Sequence, residues 1–233
     1  LIDGSINRPV ILSPRGLPFF CGLASGRPPE DFDLVLVSNA FPLELVNLGY
    51  LFSAGLPSRA SARARPPGKA PIVILGGSNA AACGALLLPG AADESESDCL
   101  VDGIFFGEGE ARASPEGPSA VAELARELAA NPGAPRVERL SEAARIRGFW
   151  PALSGKLVER GIARPYPPPL AAYPVLNSRA AGVARLQISA GCPGLCSFCL
   201  EGWDRRPYRE VPVGVLVEAA RELRANTGAE TLE

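Results

Sequence analysis

The chain of 233 residues contains no histidine and no methionine. The first absence excludes imidazole as a ligand to any metal the protein carries. The second, together with an opening on Leu1, makes an internal fragment of a longer protein the expectation. Long hydrophobic runs are missing as well. None approaches the about 18–20 uninterrupted apolar residues of a membrane span, and the start, LIDGSINRPV, lacks the basic-then-apolar layout of a secretory signal. No membrane partner is indicated, and a cytoplasmic location is the expectation. Charge of one sign is also scarce. The formal net charge is -2, and the basic residues, almost all arginine, are scattered among acids, so no sustained positive face points to nucleic acid as a partner.

What is present fits a globular protein of one to two domains, with an apolar fraction of 47%. DLVLVS (residues 33–38) is β-branched and leucine-rich without polar alternation, the texture of a strand buried on both faces. Pro42 sits where a first helical turn would begin, and the segment 42–54 ends at Gly55 and Pro57, so a helix is expected there. The alternation returns with PIVILGG (71–77), a weaker helical stretch over 80–88, and VDGIFFGEGE (101–110). Val121, Leu124, Ala125, Leu128 and Ala129 then form one helical face, stopped by Asn131, Pro132 and Gly133. Alternating strands and helices predict an α/β fold, a doubly wound parallel sheet with helices on both faces, over residues 1–132.

Residues 133–184 turn proline-rich and weakly periodic, as in RPYPPPLAAYP (164–174), and read as a connector. RLQISAG (185–191) reads as a strand that opens a second domain over 185–233. Val215, Leu216, Ala219, Ala220 and Leu223 give that domain a helix with Gly228 as its stop, and the chain ends where a further strand is expected. The acidic ADESESD (92–98) reads as a solvated loop.

Six cysteines are present: Cys21, Cys83, Cys99, Cys192, Cys196 and Cys199. The last three lie in GCPGLCSFC (191–199), directly after the expected strand. In a cytoplasmic protein such a cluster points to metal rather than to disulfides. A structural zinc site takes four protein ligands, so zinc here requires Cys21, Cys83 or Cys99 as the fourth. A 4Fe-4S cluster can be held by three thiolates, which leaves one iron open to a small molecule. Gly191 and Gly194 would let the backbone approach the sulfides. A redox thiol pair would leave one cysteine unexplained.

The motif resembles the C-x3-C-x-aromatic-C signature of radical S-adenosylmethionine enzymes, placed after a first barrel strand as in that superfamily. The resemblance implies Cys192, Cys196 and Cys199 as cluster ligands and S-adenosylmethionine bound at the open iron. It also implies reductive cleavage to a 5′-deoxyadenosyl radical, an electron donor such as flavodoxin or ferredoxin, and Phe198 beside the adenine. The plainer alternative for Phe198 is core packing. The family barrel has about six βα units and this chain holds one plus a stub. The glycine-rich motif for the methionine amine is therefore expected beyond Glu233, and the chain alone is expected to carry the cluster without turning over.

Upstream, PIVILGG and VDGIFFGEGEA are similar to the cobalamin-binding-type domain that precedes many such barrels. That resemblance implies cobalamin as a candidate second cofactor, with Gly76, Gly77, Gly107, Glu108, Gly109 and Glu110 at the carboxyl edge of the sheet. Those glycines equally suit tight strand-to-helix turns. Ser38, Asn39, Ser78 and Asn79 near the same edge could bond a corrin's amides or cap helices. Histidine ligation of cobalt is excluded. After the cysteines, EGWDRRPYRE (201–210) resembles a segment of cobalamin-type radical proteins. Its arginines would face either an acidic substrate, itself not named by the sequence, or surface carboxylates, and Trp203 and Tyr208 would shield the cluster from water. The alternatives are a methylthiotransferase-like enzyme with a second cluster on Cys21, Cys83 and Cys99, and a zinc-stabilised binding module.

Overall fold

The structure, a computed structural model, describes Ser25, Arg27 and residues 31–41, 43–44, 71–87, 101–112, 117–152, 154, 157–163 and 182–233. The chain divides into two compact units, Leu1–Ala163 and Arg164–Glu233.

The first unit is α/β. Strands β1 (Leu34–Ser38), β2 (Ile72–Gly76), β3 (Gly103–Phe105) and β4 (Phe149–Pro151) form one sheet in that order. β1, β2 and β3 are parallel, with Leu34 opposite Ile72 and Ile74 opposite Gly103, and β4 runs antiparallel on β3. β2 is central, so its continuous apolar run is explained: Ile72 and Ile74 face one side, Val73 and Leu75 the other, and all four are at most 1% exposed. Both faces of β2 are covered, whereas β1, expected to be buried on both faces, has no fully buried residue and leaves Leu36 49% exposed, because it has a partner on one side only among the described strands. Helices α1 (Ala120–Ala130) and α2 (Arg136–Ala143) pack Leu124, Leu128, Leu140 and Ala143 on the Ile72 side. A 3-10 helix, Ala80–Leu87, places Ala80 and Cys83 on the Val73 side.

The helix expected over 42–54 lies outside the described residues beyond Glu44. The stretch expected to be a connector needs correction over its first part, because it supplies α2 and β4 to the first unit. Residues 164–181 lie outside the described residues. The described strands also run in sequence order without reversal, so they contain no topological switch point of the kind that opens a ligand crevice in doubly wound sheets.

Two arginines knit this unit together. The last turn of α1 leaves the Leu128 carbonyl without its normal donor, because the residue four positions on is Pro132. Arg139 fills the gap, donating from Nε at 2.8 Å and also from its Nη2. Arg136 makes a two-pronged pair with Asp102, Nε to Oδ1 at 2.8 Å and Nη2 to Oδ2 at 2.9 Å, and also donates to the Pro71 carbonyl. Asp102 is fully buried and accepts the Val73 N–H at 2.7 Å, locking β2 to the start of β3.

In the second unit, β5 (Val183–Ala184) pairs in parallel with β8 (Thr231–Leu232), and α4 (Val213–Thr227) precedes β8. α4 ends at Gly228, whose φ of 66° and N–H to the Arg224 carbonyl make the left-handed cap that the sequence predicts. The strand expected over 185–191 is shorter and split. β6 (Ser189–Ala190) pairs antiparallel with β7 (Arg209–Glu210), while 185–188 extend between the two pairings. A short helix, α3 (Leu200–Asp204), separates the cysteines from β7. Among the described residues no helix is long and apolar enough to cross a membrane.

Candidate functional site

The cysteine loop leaves β6 at Gly191, whose φ is 80°. A side chain at this position would meet the Arg205 carbonyl oxygen at 2.4 Å, so glycine is required by contact with the chain's own turn rather than with a sulfide. Gly194 is the position that faces sulfur. A Cβ built on it would stand 3.5 Å from both Cys192 Sγ and Cys196 Sγ, which places those sulfurs no farther apart than twice that distance. The Gly194 N–H also points at Cys192 Sγ, 3.4 Å away. Leu195 then takes a left-handed backbone, φ 44°, at a cost of about 1 kcal/mol for a residue with a Cβ.

Cys196 and Cys199 are joined by a turn in which the Cys199 N–H donates to the Cys196 carbonyl at 3.0 Å. Cys192 and Cys196 are exposed, and Cys199 is half-buried. Among the described residues no three His, Cys, Asp or Glu side chains close around one point as a single metal ion requires. A cubane makes a different demand, since its irons occupy separate corners and each takes one thiolate. The donor set, three thiols on one open loop with a backbone N–H aimed at the first sulfur, fits that demand.

The surroundings of the loop are apolar and open. Phe198 is 90% exposed, which overturns core packing as its explanation. Trp203 and Tyr208 are each less than half exposed. The Trp203 indole N–H donates to the Cys196 carbonyl at 2.9 Å, and the Arg206 guanidinium lies 5.0 Å over the indole ring. Tyr208 donates to Glu210 at 2.8 Å, and that bond, with partial burial and the carboxylate's charge, raises the phenol above its ordinary pKa. Arg206 and Arg209 donate from Nε to the Trp203 and Pro207 carbonyls, so both are engaged with the chain itself.

In the first unit the resemblance-derived residues do lie after the carboxyl ends of β2 and β3. Their close approaches are made by protein. A Cβ at Gly77 (φ 97°) would meet Asn39 backbone at 2.3 Å, at Gly107 (φ 101°) the Gly161 carbonyl at 2.2 Å, and at Gly109 the Val121 side chain at 2.6 Å. Gly76 meets the Phe105 carbonyl only at an ordinary 3.6 Å. Glu108 accepts the Ala163 N–H at 2.7 Å, tying down the segment that follows the sheet, and Glu110 is exposed. These positions therefore do not form a glycine cradle for cobalamin, and the backbone freedom they need is used to pack the unit.

Asn39 and Asn79, weighed as ligand contacts or caps, form a buried polar node instead. Asn79 Nδ2 donates to Asn39 Oδ1 at 2.7 Å, and Asn39 Nδ2 donates to Glu44 at 3.0 Å, which also takes the Ala40 N–H. Among the described residues Asn79 Oδ1 is buried without a hydrogen-bond partner. Cys83 joins the node as a thiol donor to the Asn79 carbonyl at 3.2 Å, and burial pushes its pKa up to about 11. A thiol held protonated in this way is a poor metal ligand. Cys83 is buried and bonded within the first unit's core; Cys21 and Cys99 lie outside the described residues. No protein-family model, curated protein or solved structure matches the chain.

Proposed function

We propose that this chain carries the cluster-binding part of a radical S-adenosylmethionine enzyme, with Cys192, Cys196 and Cys199 as the three thiolate ligands. The observation that carries the reading is the loop itself. Two sulfurs converge on Gly194, all three thiols belong to one nine-residue segment, and the chain has no histidine to complete a closed four-ligand site. A 4Fe-4S cluster held by Cys192, Cys196 and Cys199 would supply one-electron reductive chemistry toward S-adenosylmethionine.

The chain's own residues have three tasks around that chemistry. Gly194 keeps the space between the first two sulfurs free of a side chain. The Gly194 N–H lowers the charge density on Cys192 Sγ, a contact that raises the potential of a bound cluster. Phe198 offers an exposed ring face for the adenine to stack on. The parallel β5 and β8, with α4 between them in the chain, are one βα crossover of the general α/β kind, and the barrel itself remains part of the proposal. For the first unit the reading is restricted to its α/β fold. The glycines do not fit an open cradle, and no step is routed through cobalamin.

Anaerobic reconstitution of the purified chain with iron and sulfide tests the proposal. About four irons and four sulfides per chain, with the brown absorption and reduced-state paramagnetism of a 4Fe-4S cluster, are expected. About eight irons would instead indicate the two-cluster alternative, and uptake of colourless zinc with no iron would overturn the reading.

A further inference from the structure

The Cys196 carbonyl oxygen joins two of the three thiol-bearing residues to the helix that follows them. It accepts the Cys199 N–H at 3.0 Å and the Trp203 indole N–H at 2.9 Å. The first bond closes the turn that sets the second and third thiols relative to one another. The second anchors that turn to α3. The indole is itself clamped, because Arg206 lies over its ring at 5.0 Å and donates from Nε to the Trp203 carbonyl at 3.1 Å.

The same segment grips the other end of the loop. β7 pairs with β6, the Val211 N–H reaches the Ile188 carbonyl at 2.9 Å, and the Arg205 carbonyl packs into the space that Gly191 leaves free. A loop with exposed side chains and a left-handed leucine has little burial of its own to hold it, so its geometry depends on these ties. Packing alone does not account for Trp203, which remains 44% exposed yet directs its one polar atom at a ligand residue's backbone.

We propose that Trp203 is a positioning residue for the thiol loop: its N–H holds the Cys196–Cys199 turn closed, and Arg206 holds the indole in place to do so. The expected consequence is that Cys196 and Cys199, the two thiols joined by that turn, have less freedom to lose when one thiophilic ion takes both.

The test uses Trp203→Phe, which keeps an aromatic ring and removes the donor, and Arg206→Gln, which loosens the clamp. Cadmium titration of the metal-free chain, followed by thiolate-to-cadmium absorption, is expected to show affinity about fivefold weaker in the phenylalanine variant, the equivalent of one hydrogen bond. Arg206→Gln should fall between it and the parent. Alkylation of Cys192 and Cys196 by iodoacetamide should be unchanged in both, because these two thiols are exposed with or without the tie and only the mutual geometry of the loop is altered. Equal cadmium affinity in parent and both variants, or no cadmium binding by the parent, overturns the proposal. Changed alkylation would also overturn it by tracing the effect to unfolding or exposure. Only a further arm rests on the cluster reading: iron release to a chelator from the reconstituted chain should be about fivefold faster in Trp203→Phe. A parent that takes up no iron sinks the cluster reading and leaves the cadmium result standing.

Discussion

The two units use cysteine in opposite ways. In Leu1–Ala163 strands β2 and β3 disappear into two cores and the one described cysteine is buried and bonded, although Phe41, Leu43, Val137 and Leu157 are more than half exposed. In Arg164–Glu233 the apolar residues Ile188, Phe198, Leu200 and Val213 are all more than half exposed, and the cysteines face solvent. Cys83 and Cys192 are the same amino acid, yet burial has turned one into a packing group while the other stands exposed on an open loop. The lesson is that a cysteine's chemistry is set by what surrounds it. Among the described residues the exposed cysteine surroundings are confined to one nine-residue loop.

The comparison is broken most sharply by removing thiols one at a time. Cys192→Ala, Cys196→Ala and Cys199→Ala should each abolish four-iron uptake on reconstitution, whereas Cys83→Ala should leave it at the parent level. Iron and sulfide analysis reads the result, and iron uptake lost in Cys83→Ala would erase the distinction between the units. Next in size is Arg136→Ala. It strands the buried Asp102 carboxylate and should destabilise the first unit by about 3–5 kcal/mol, read from urea unfolding, while cadmium affinity at the loop stays unchanged.

That ion pair also explains where sequence reading stops. β2, α1 and α4 are legible because their buried positions are apolar at the right period and their ends carry Pro, Asn or Gly signals, while β1 is legible as a strand from its β-branched and leucine run although it is not buried as that run suggests. α2 is not, because two of its four buried residues are Arg136 and Arg139, and no hydrophobic pattern registers an arginine that goes inside to meet a carboxylate or an orphaned carbonyl. β4 is three residues long and ends on Pro151, which reads as a loop. RLQISAG reads as one strand, but only Ser189 and Ala190 pair, with 209–210, while the strand paired with 231–232 lies just before it at 183–184, and neither partner is visible in the local pattern. The site divides in the same manner. The cysteine spacing is a local signal, whereas the Trp203-to-Cys196 bond and the protein contacts that fill Gly77 and Gly107 exist only after folding.

A smaller effect sharpens the contrast between buried and exposed thiols. Cys83 has its pKa raised from 9.0 to about 11 in the folded chain. Its neutral form is therefore favoured by folding, and its contribution is complete below pH 9 and lost as pH rises through 11. Over that interval the parent should lose about 2–3 kcal/mol of stability that Cys83→Ala does not lose, since each pKa unit is worth about 1.4 kcal/mol. Parallel stability-versus-pH curves for the two proteins would mean that the thiol is not held protonated by burial.

The smallest expected change in stability is at Phe198, and it is informative because it is small. A ring that is 90% exposed has almost no burial to lose, so Phe198→Ala should alter unfolding free energy by no more than about 0.5 kcal/mol. If the ring serves the adenine, the same substitution should weaken binding of S-adenosylmethionine to the reconstituted chain by about threefold to tenfold, the range for one aromatic stacking contact. Isothermal titration on the reconstituted chain reads the second quantity and chemical denaturation the first. A large loss of stability would return Phe198 to a packing role. Unchanged stability with unchanged binding would leave the exposed ring without the ligand that the proposal gives it, and the unit would then differ from its neighbour only in being less well buried.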